Sequence, residues 1–202
     1  MFHVRPVPLR RRRSDREPQE GWTIALRIGV LILLGDVLTK ALVKAWVPLG
    51  DLLEVWPGRI ALWHVRNEAM MLGLWEHLPL YSRRMIAMVA AVGIAFFVVE
   101  VIRRGHRLPA RERVWAWAFA GLSLGGMAGN LGERALHWDV TDFLAFRWGE
   151  VWLPPGNLAD LALFAAIPVA LMVTRFELRA RRMRGRGEPH PLPLRRRSEL
   201  PR

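Results

Sequence analysis

Two aspartates in the last third of the chain have the residue type and the spacing to do chemistry together. Asp142 lies in a short run of alternating apolar residues, and Asp160 lies at the start of a long apolar stretch. A Pro-Pro-Gly turn at 154–156 separates them and allows them to face each other. Carboxylates at the edge of hydrocarbon are costly, so they indicate function. Two carboxyls that share one proton can activate a water molecule for attack on an amide carbonyl.

The composition indicates an integral membrane protein. The 202 residues carry a formal net charge of +12 although 52% of them are hydrophobic, a combination explained by apolar spans with basic flanks. Four spans are predicted as transmembrane helices because each has about the length that crosses a bilayer. They cover about residues 22–46, 84–102, 114–131 and 157–174. We expect one membrane domain, 22–174, between a basic tail at 1–21 and an Arg- and Pro-rich tail at 175–202.

The two long loops between these spans contain alternating runs that are typical of strands. Pro57 and Gly58 split the first run, which predicts two short strands and a turn. In the second loop, the alternation from Val140 to Phe146 predicts a strand that carries Asp142 beside apolar neighbours. One acid is therefore expected on a strand and the other at the start of a helix.

Arginine clusters predict the orientation of the chain in the membrane. They lie at 10–13, at 103–113 and from 175 onward, and cytoplasmic segments carry the excess of Lys and Arg. Both termini are therefore predicted to be cytoplasmic, and both long loops to lie outside. The clusters border apolar spans and are not interleaved with stacking aromatics, so they favour anionic lipid rather than nucleic acid as a partner.

Further polar residues are placed where they can support the two acids. Asp36 and Lys40 are spaced i, i+4 in the first span, where either charge alone would be costly. Asn157 is a predicted N-cap with Asp160 at the N3 position. The chain has no cysteine, and its six histidines show no metal-binding spacing. We therefore predict no disulfide, no metal and no cofactor.

Five motifs in chain order resemble those of lipoprotein signal peptidase, the type II signal peptidase of bacterial inner membranes. The resemblance covers roughly residues 22–174. The motifs are Asp36-Val-Leu-Thr39-Lys40 for D-x-x-T-K, Asn67 to Gly73 for the block that begins N-x-G-A-A-F, Gly125-Gly126-Met-Ala-Gly129-Asn130-Leu-Gly-Glu133-Arg134 for G-G-x-x-G-N-x-x-D-R, Val140-Thr-Asp142-Phe143 for V-x-D-F, and Asn157-Leu-Ala-Asp160 for N-x-A-D.

The resemblance implies a membrane aspartyl endopeptidase with four transmembrane helices and a small extracytoplasmic β cradle. It implies removal of the signal peptide from diacylglyceryl-modified prolipoproteins, by a cut before the lipidated cysteine. Asp142 and Asp160 would be the catalytic dyad. The expected partners are the lipidated prolipoprotein and membrane lipid, and the protein is expected to be a monomer without a cofactor. The implied supporting and substrate-binding residues are Asp36, Lys40, Asn67, Asn130, Arg134 and Asn157.

Two departures from the family pattern stand out. Ala69, Met70, Met71 and Leu72 replace the smaller Gly-Ala-Ala and the Phe of the family block, and Glu133 stands where the family has Asp. We expect the bulkier block to alter which substrates fit, and the longer carboxylate of Glu133 to act with a shifted geometry.

Two alternatives to a peptidase remain open at this point. A small ion- or proton-coupled transporter also uses intramembrane Asp and Lys, but it needs a polar path across the whole bilayer, whereas the acids here gather at one face. A catalytically weak homologue that binds lipidated signal peptides without cutting them would fit the altered block at 67–73.

Overall fold

The structure is a computed structural model that describes residues 17–68 and 77–185 of the chain. The sequence predicts an all-α membrane protein with a small β cradle. The observed helices and the small antiparallel sheet confirm that part of the prediction. The altered block that begins at Ala69 lies outside the described residues. The elements in chain order are α1 (Glu17–Trp46), β1 (Leu52–Trp56), β2 (Ile60–Asn67), α2 (Leu80–Gly105), α3 (Ala110–His137), β3 (Val140–Trp148), β4 (Val151–Trp152) and α4 (Leu158–Gly185).

The helices extend beyond the predicted apolar spans. α1 begins at Glu17 and α4 continues to Gly185, so two segments expected in the tails, 17–21 and 175–185, are helical. The segment 175–185 is rich in Arg, Leu and Ala, which favour helix regardless of membrane burial, and Pro18 lies in the first turn of α1, where proline is tolerated. An apolar stretch therefore marks only part of a helix. The remainder of both predicted tails, 1–16 and 186–202, lies outside the described residues.

Two helices in the described part of the chain are long and apolar enough to cross a membrane, Leu80–Gly105 and Leu158–Met183. α1 carries Asp36, Lys40 and Lys44 in its C-terminal half, which lowers its mean hydropathy. By length and composition alone, the number of transmembrane helices therefore stays a prediction.

α3 lies at the centre of the helix bundle. Its residues Trp117 and Phe119 are buried in one cluster with Ala25 of α1, Val98 of α2 and Val173 of α4. The same helix lies close to α1, because glycines on the two helices face each other. A Cβ added at Gly125 would lie 2.7 Å from the carbonyl oxygen of Gly29. Small residues permit this approach between helices.

We expect Gly125→Ala to lower the free energy of unfolding by about 1–3 kcal/mol, because backbone atoms of α1 would have to move. Gly132→Ala is the matched control on the same helix, since nothing lies within 4 Å of a Cβ there. It is expected to stabilise the helix by about 0.5–1 kcal/mol. Thermal unfolding in detergent measures both, and equal effects of the two substitutions would contradict this account of the α1–α3 contact.

The four strands form one antiparallel sheet in the order β1-β2-β3-β4. The predicted turn between β1 and β2 is confirmed, with Gly58 in the left-handed conformation at φ 67°. β2 pairs with β3 so that Val65 lies opposite Asp142. Phe143, which points to the other face of β3, is buried against Val43 and Val47 at the end of α1. This packing fixes the strand that carries Asp142 against the helix bundle.

Candidate active site

The Pro-Pro-Gly turn folds back onto β3 and sets the start of α4 beside it. Gly156 pairs with Leu144 in a short bridge, donating its N–H to the Leu144 carbonyl at 3.1 Å and accepting the N–H of Leu144 at 2.8 Å. The carbonyl of Gly156 also accepts the N–H of Phe143 at 2.8 Å. Because Asn157 follows at once, its side chain lies next to Asp142.

Asn157 contacts both aspartates. Its Nδ2 donates to Asp142 Oδ1 at 2.6 Å. Its Oδ1 accepts the N–H of Asp160 at 2.9 Å, and Asp160 Oδ2 in turn accepts the N–H of Asn157 at 3.2 Å. The last two bonds are the predicted N-terminal cap of α4. The cap therefore holds Asp160 in place while the same asparagine holds Asp142.

The other oxygen of each carboxyl is bound by a second asparagine. Asn67 at the end of β2 donates to Asp142 Oδ2 at 2.7 Å. Asn130 of α3 donates to Asp160 Oδ1 at 2.8 Å and accepts from Asn157 Nδ2 at 3.1 Å. Asp142 is only 2% exposed. One β-strand and the start of one helix thus hold the two acids in a single hydrogen-bonded cluster, as the sequence predicted.

Lys40 is the buried cation of this cluster. Its Nζ lies 2.7 Å from Asp36 Oδ2 and 3.1 Å from Asn130 Oδ1, so the predicted i, i+4 pair is present. Asp36 also has a partner that the sequence did not reveal: its Oδ1 accepts the N–H of Ala159 at 2.9 Å. The first helix therefore satisfies a backbone donor in the first turn of the last helix.

Arg134 places a second cation near the acids. It interacts electrostatically with both Asp142 and Asp160, and it lines two cavities between α2 and the rest of the bundle. The inner cavity, about 90 Å³, contains Asp160 and Asn130 in a wall that is otherwise mainly alanine, leucine and isoleucine. A largely apolar groove between helices thus leads to one of the two carboxyls.

Glu133 is a site residue whose contacts the motif pattern did not predict. Its carboxylate accepts both the N–H of Thr141 at 3.0 Å and the hydroxyl of Thr141 at 2.6 Å. It also lies 2.7 Å from Lys44 Nζ and 3.4 Å from Lys40 Nζ. Since Thr141 precedes Asp142, Glu133 fixes the strand directly beside the acid. The available signal was that Lys44 follows Lys40 by one helical turn and so shares its face.

No metal site accompanies these groups in the part of the chain that the structure describes. There, no three His, Asp or Glu side chains converge as metal ligands do.

The pKa of Asp142 determines how the charge of the site changes with pH. Burial, and next the charge of Asp160, raise the pKa of Asp142 to about 7, against hydrogen bonds from Asn67 and Asn157 that lower it. The Asp142 carboxyl therefore keeps its proton up to about pH 7. The raised pKa also means that this carboxyl favours the folded state below about pH 4, and that its contribution to stability falls as the pH rises toward 7.

We expect the rate of peptide-bond cleavage to fall about tenfold per pH unit above pH 7, as the Asp142 carboxyl loses its proton. In Asn67→Ala the hydrogen bond that lowers the pKa of Asp142 is absent, so the fall in rate should begin at a higher pH. Profiles of kcat against pH for both proteins measure the shift. If the fall in rate began at the same pH or at a lower pH in Asn67→Ala, the role given to Asp142 would be contradicted.

The comparisons with known proteins decide the family. A family model described as signal peptidase (SPase) II matches residues 28–176. The chain belongs to the signal peptidase II family. The resemblance inferred from the motifs is thereby confirmed, and the chain is a peptidase.

Proteins of the family from several bacteria are similar over most of the chain. The lipoprotein signal peptidase of Nitratidesulfovibrio vulgaris is 32% identical over 142 residues, which are 70% of this chain and 83% of the relative. That of Blochmanniella pennsylvanica is 29% identical over 151 residues, 75% of this chain and 87% of the relative. That of Listeria monocytogenes is 29% identical over 146 residues, 72% and 88% respectively.

Two solved structures share the fold. Both are described as bacterial membrane enzymes studied by the in meso method. One has a TM-score of 0.55 at 20% identity and covers 74% of this chain and 91% of its own. The other has a TM-score of 0.52 at 18% identity and covers 84% and 94%.

Proposed function

We propose that this signal peptidase II is an aspartyl endopeptidase that removes the signal peptide from diacylglyceryl-modified prolipoproteins, with the cut before the lipidated cysteine. The observation that carries the proposal is the convergence of Asp142 and Asp160 on Asn157, at the end of an apolar groove. Family membership supports lipoprotein precursors as the substrate class. A transporter is not favoured.

The proposed mechanism uses the shared proton of the pair. The ionised carboxyl takes a proton from water, and the resulting hydroxide attacks the scissile carbonyl. The protonated carboxyl donates to the carbonyl oxygen. When the tetrahedral intermediate collapses, the C–N bond breaks, and the amine receives a proton from the acid that took one from water. The other carboxylate takes back the proton from the oxygen that it had protonated, which restores the singly protonated pair. The two acids titrate as a unit, so neither is assigned a fixed starting role.

The surrounding residues have distinct proposed roles. The asparagines 67, 130 and 157 orient the carboxylates, and all three lie where they can contact the substrate backbone. Lys40 and Arg134 place positive charge beside the acids and favour the singly ionised pair. Asp36 offsets the buried charge of Lys40 and orients the start of α4 through Ala159.

We further propose that all four helices cross the bacterial inner membrane, with both termini cytoplasmic and the site near the outer face. The distribution of arginine supports this orientation. A substrate whose acyl chains remain in the bilayer presents its scissile bond near that face. The carboxyls at the outer ends of the helices would meet it there, and one chain supplies the whole site, so a monomer suffices.

The proposal is tested with purified protein in lipid nanodiscs and matched precursors with and without the diacylglyceryl group. We expect cleavage of the lipidated precursor only, with the new N-terminus at the lipidated cysteine when the product is analysed by mass spectrometry. A single turnover with excess protein separates slow cleavage from binding without cleavage. Cleavage at another bond, or equal cleavage of both precursors, would contradict the proposal.

A further inference from the structure

We propose that the outer ends of α2 and α3 form a binding site for the headgroup of an anionic phospholipid. A cavity of about 260 Å³ lies there, beside the inner cavity that contains Asp160. Three arginines and one glutamate line it, together with Trp138 and a patch of apolar side chains. The proposal rests on the proposed membrane orientation but not on the catalytic mechanism.

The arginines at the start of α2 place positive charge where a helix terminus already carries partial positive charge. Arg83 and Arg84 lie within the first five residues of the helix, whose first turn contains no acidic side chain and whose N-cap, Pro79, makes no side-chain cap. The N-terminus of a helix carries partial positive charge, so cations there are unfavourable and an anion is favourable. A bound phosphate would compensate the helix terminus and both guanidinium groups.

Both arginines also have a buried donor without an acceptor. The Nε atoms of Arg83 and Arg84 are buried and find no hydrogen-bond partner among the described residues. The Arg83 guanidinium lies 3.8 Å from Glu68, a side chain that is 59% exposed. Within residues 17–68 and 77–185 it makes no closer ion pair. A buried N–H without a partner is costly. Two such donors on adjacent residues indicate a ligand with acceptor oxygens.

Trp138 holds Arg84 in position for such a ligand. The Arg84 guanidinium stacks on the Trp138 ring at 4.2 Å from its centroid, which fixes the plane of its donors. Trp138 ends α3 in the left-handed conformation, with φ 65°. Glycine or asparagine is usual at that position. A bulky residue in this strained conformation indicates that the Trp138 ring has a functional role, which here is to hold Arg84.

The rest of the cavity favours a lipid over a free anion. Below the arginines its wall is made by Ala87, Met88, Leu131 and Ala135, which suit an acyl chain. Guanidinium groups above an apolar wall match a phosphate attached to fatty acyl chains. Arg134, the third arginine, interacts with the catalytic acids. Arg83 and Arg84 are therefore the two arginines that are available to bind the headgroup.

The experiment measures which lipid the full-length protein retains. The protein is reconstituted in nanodiscs with equal amounts of phosphatidylglycerol and phosphatidylethanolamine, extracted mildly, and analysed by native mass spectrometry. We expect the wild type to retain phosphatidylglycerol preferentially, and Arg83→Gln with Arg84→Gln to reduce that preference about tenfold. Arg103→Gln, at the opposite end of the same helix and 73% exposed, is the matched control and should keep the preference.

Two further measurements keep the test decisive if the double variant folds poorly. Trp138→Gly removes the stacking ring and relieves the backbone strain, and we expect it to weaken the preference without weakening the fold. Phosphatidylglycerol should also raise the thermal unfolding temperature of the wild type but not of Trp138→Gly. Equal retention of both lipids by the wild type, or an unchanged preference in both variants, would overturn the proposal. Precursor cleavage is measured separately, so its failure would leave this result standing.

Discussion

Asp142→Asn and Asp160→Asn are each expected to lower kcat for cleavage of a lipidated precursor by at least about 10³-fold, because either change removes the shared proton and the base that activates water. An asparagine keeps the size of the side chain and one acceptor oxygen. The bonds from Asn157 to Asp142 and from Asn130 to Asp160 can therefore partly persist, and the protein should remain folded and inserted.

The control for this pair is Asp51→Asn, an exposed aspartate just before β1, which should cleave at the wild-type rate. The double variant should be about as slow as either single variant, because the two acids act as one unit. Wild-type cleavage by purified Asp160→Asn would contradict the dyad. So would single-variant losses that multiply in the double variant.

Lys40→Met is expected to cost the largest share of stability, about 3–5 kcal/mol in free energy of unfolding. Asp36 has no exposed side-chain surface, and Lys40 is the cation beside it at 2.7 Å. Removing the lysine leaves a buried carboxylate without a counter-charge, next to two further acids. Denaturant titration in detergent micelles measures the loss.

Two further variants test how much of the free energy of unfolding depends on the charge of Lys40. Lys44→Met removes a cation that is 41% exposed, so the loss should stay below about 1 kcal/mol. Asp36→Asn combined with Lys40→Met removes both charges and keeps an acceptor for the Ala159 N–H. This double variant should be more stable than Lys40→Met alone. If it were less stable, the cost would come from lost packing and not from an unpaired charge.

Local patterns were sufficient to predict most of the elements and the identity of the central polar residues. Pro57 and Gly58 marked a hairpin because they favour a turn, and Asn157 with Asp160 marked a helix start because they satisfy its free N–H groups. Both inferences depend on residues a few positions apart. The residues that meet around Asn157 were predicted largely through motifs in a fixed order.

Long-range contacts were beyond this kind of prediction. The bond from Asp36 to Ala159 joins residues 123 positions apart, and Glu133 meets Lys44 at 2.7 Å because α1 and α3 pack closely through glycines. Such contacts depend on helix rotation and on side-chain length, which no local pattern specifies. The helices also extend beyond the predicted apolar spans, to Glu17 and to Gly185, since hydropathy registers only the apolar part of a helix.

The bond between Asp36 and the N–H of Ala159 has a consequence for biogenesis. The first helix leaves the ribosome well before the last one. Asp36 can therefore bind the N–H of Ala159 only when synthesis of the membrane domain is nearly complete. Asp160 obtains its final orientation only at that moment, when Asn157 and Ala159 dock. A partly translated chain therefore lacks the complete proposed site, and we expect cleavage to require the whole membrane domain.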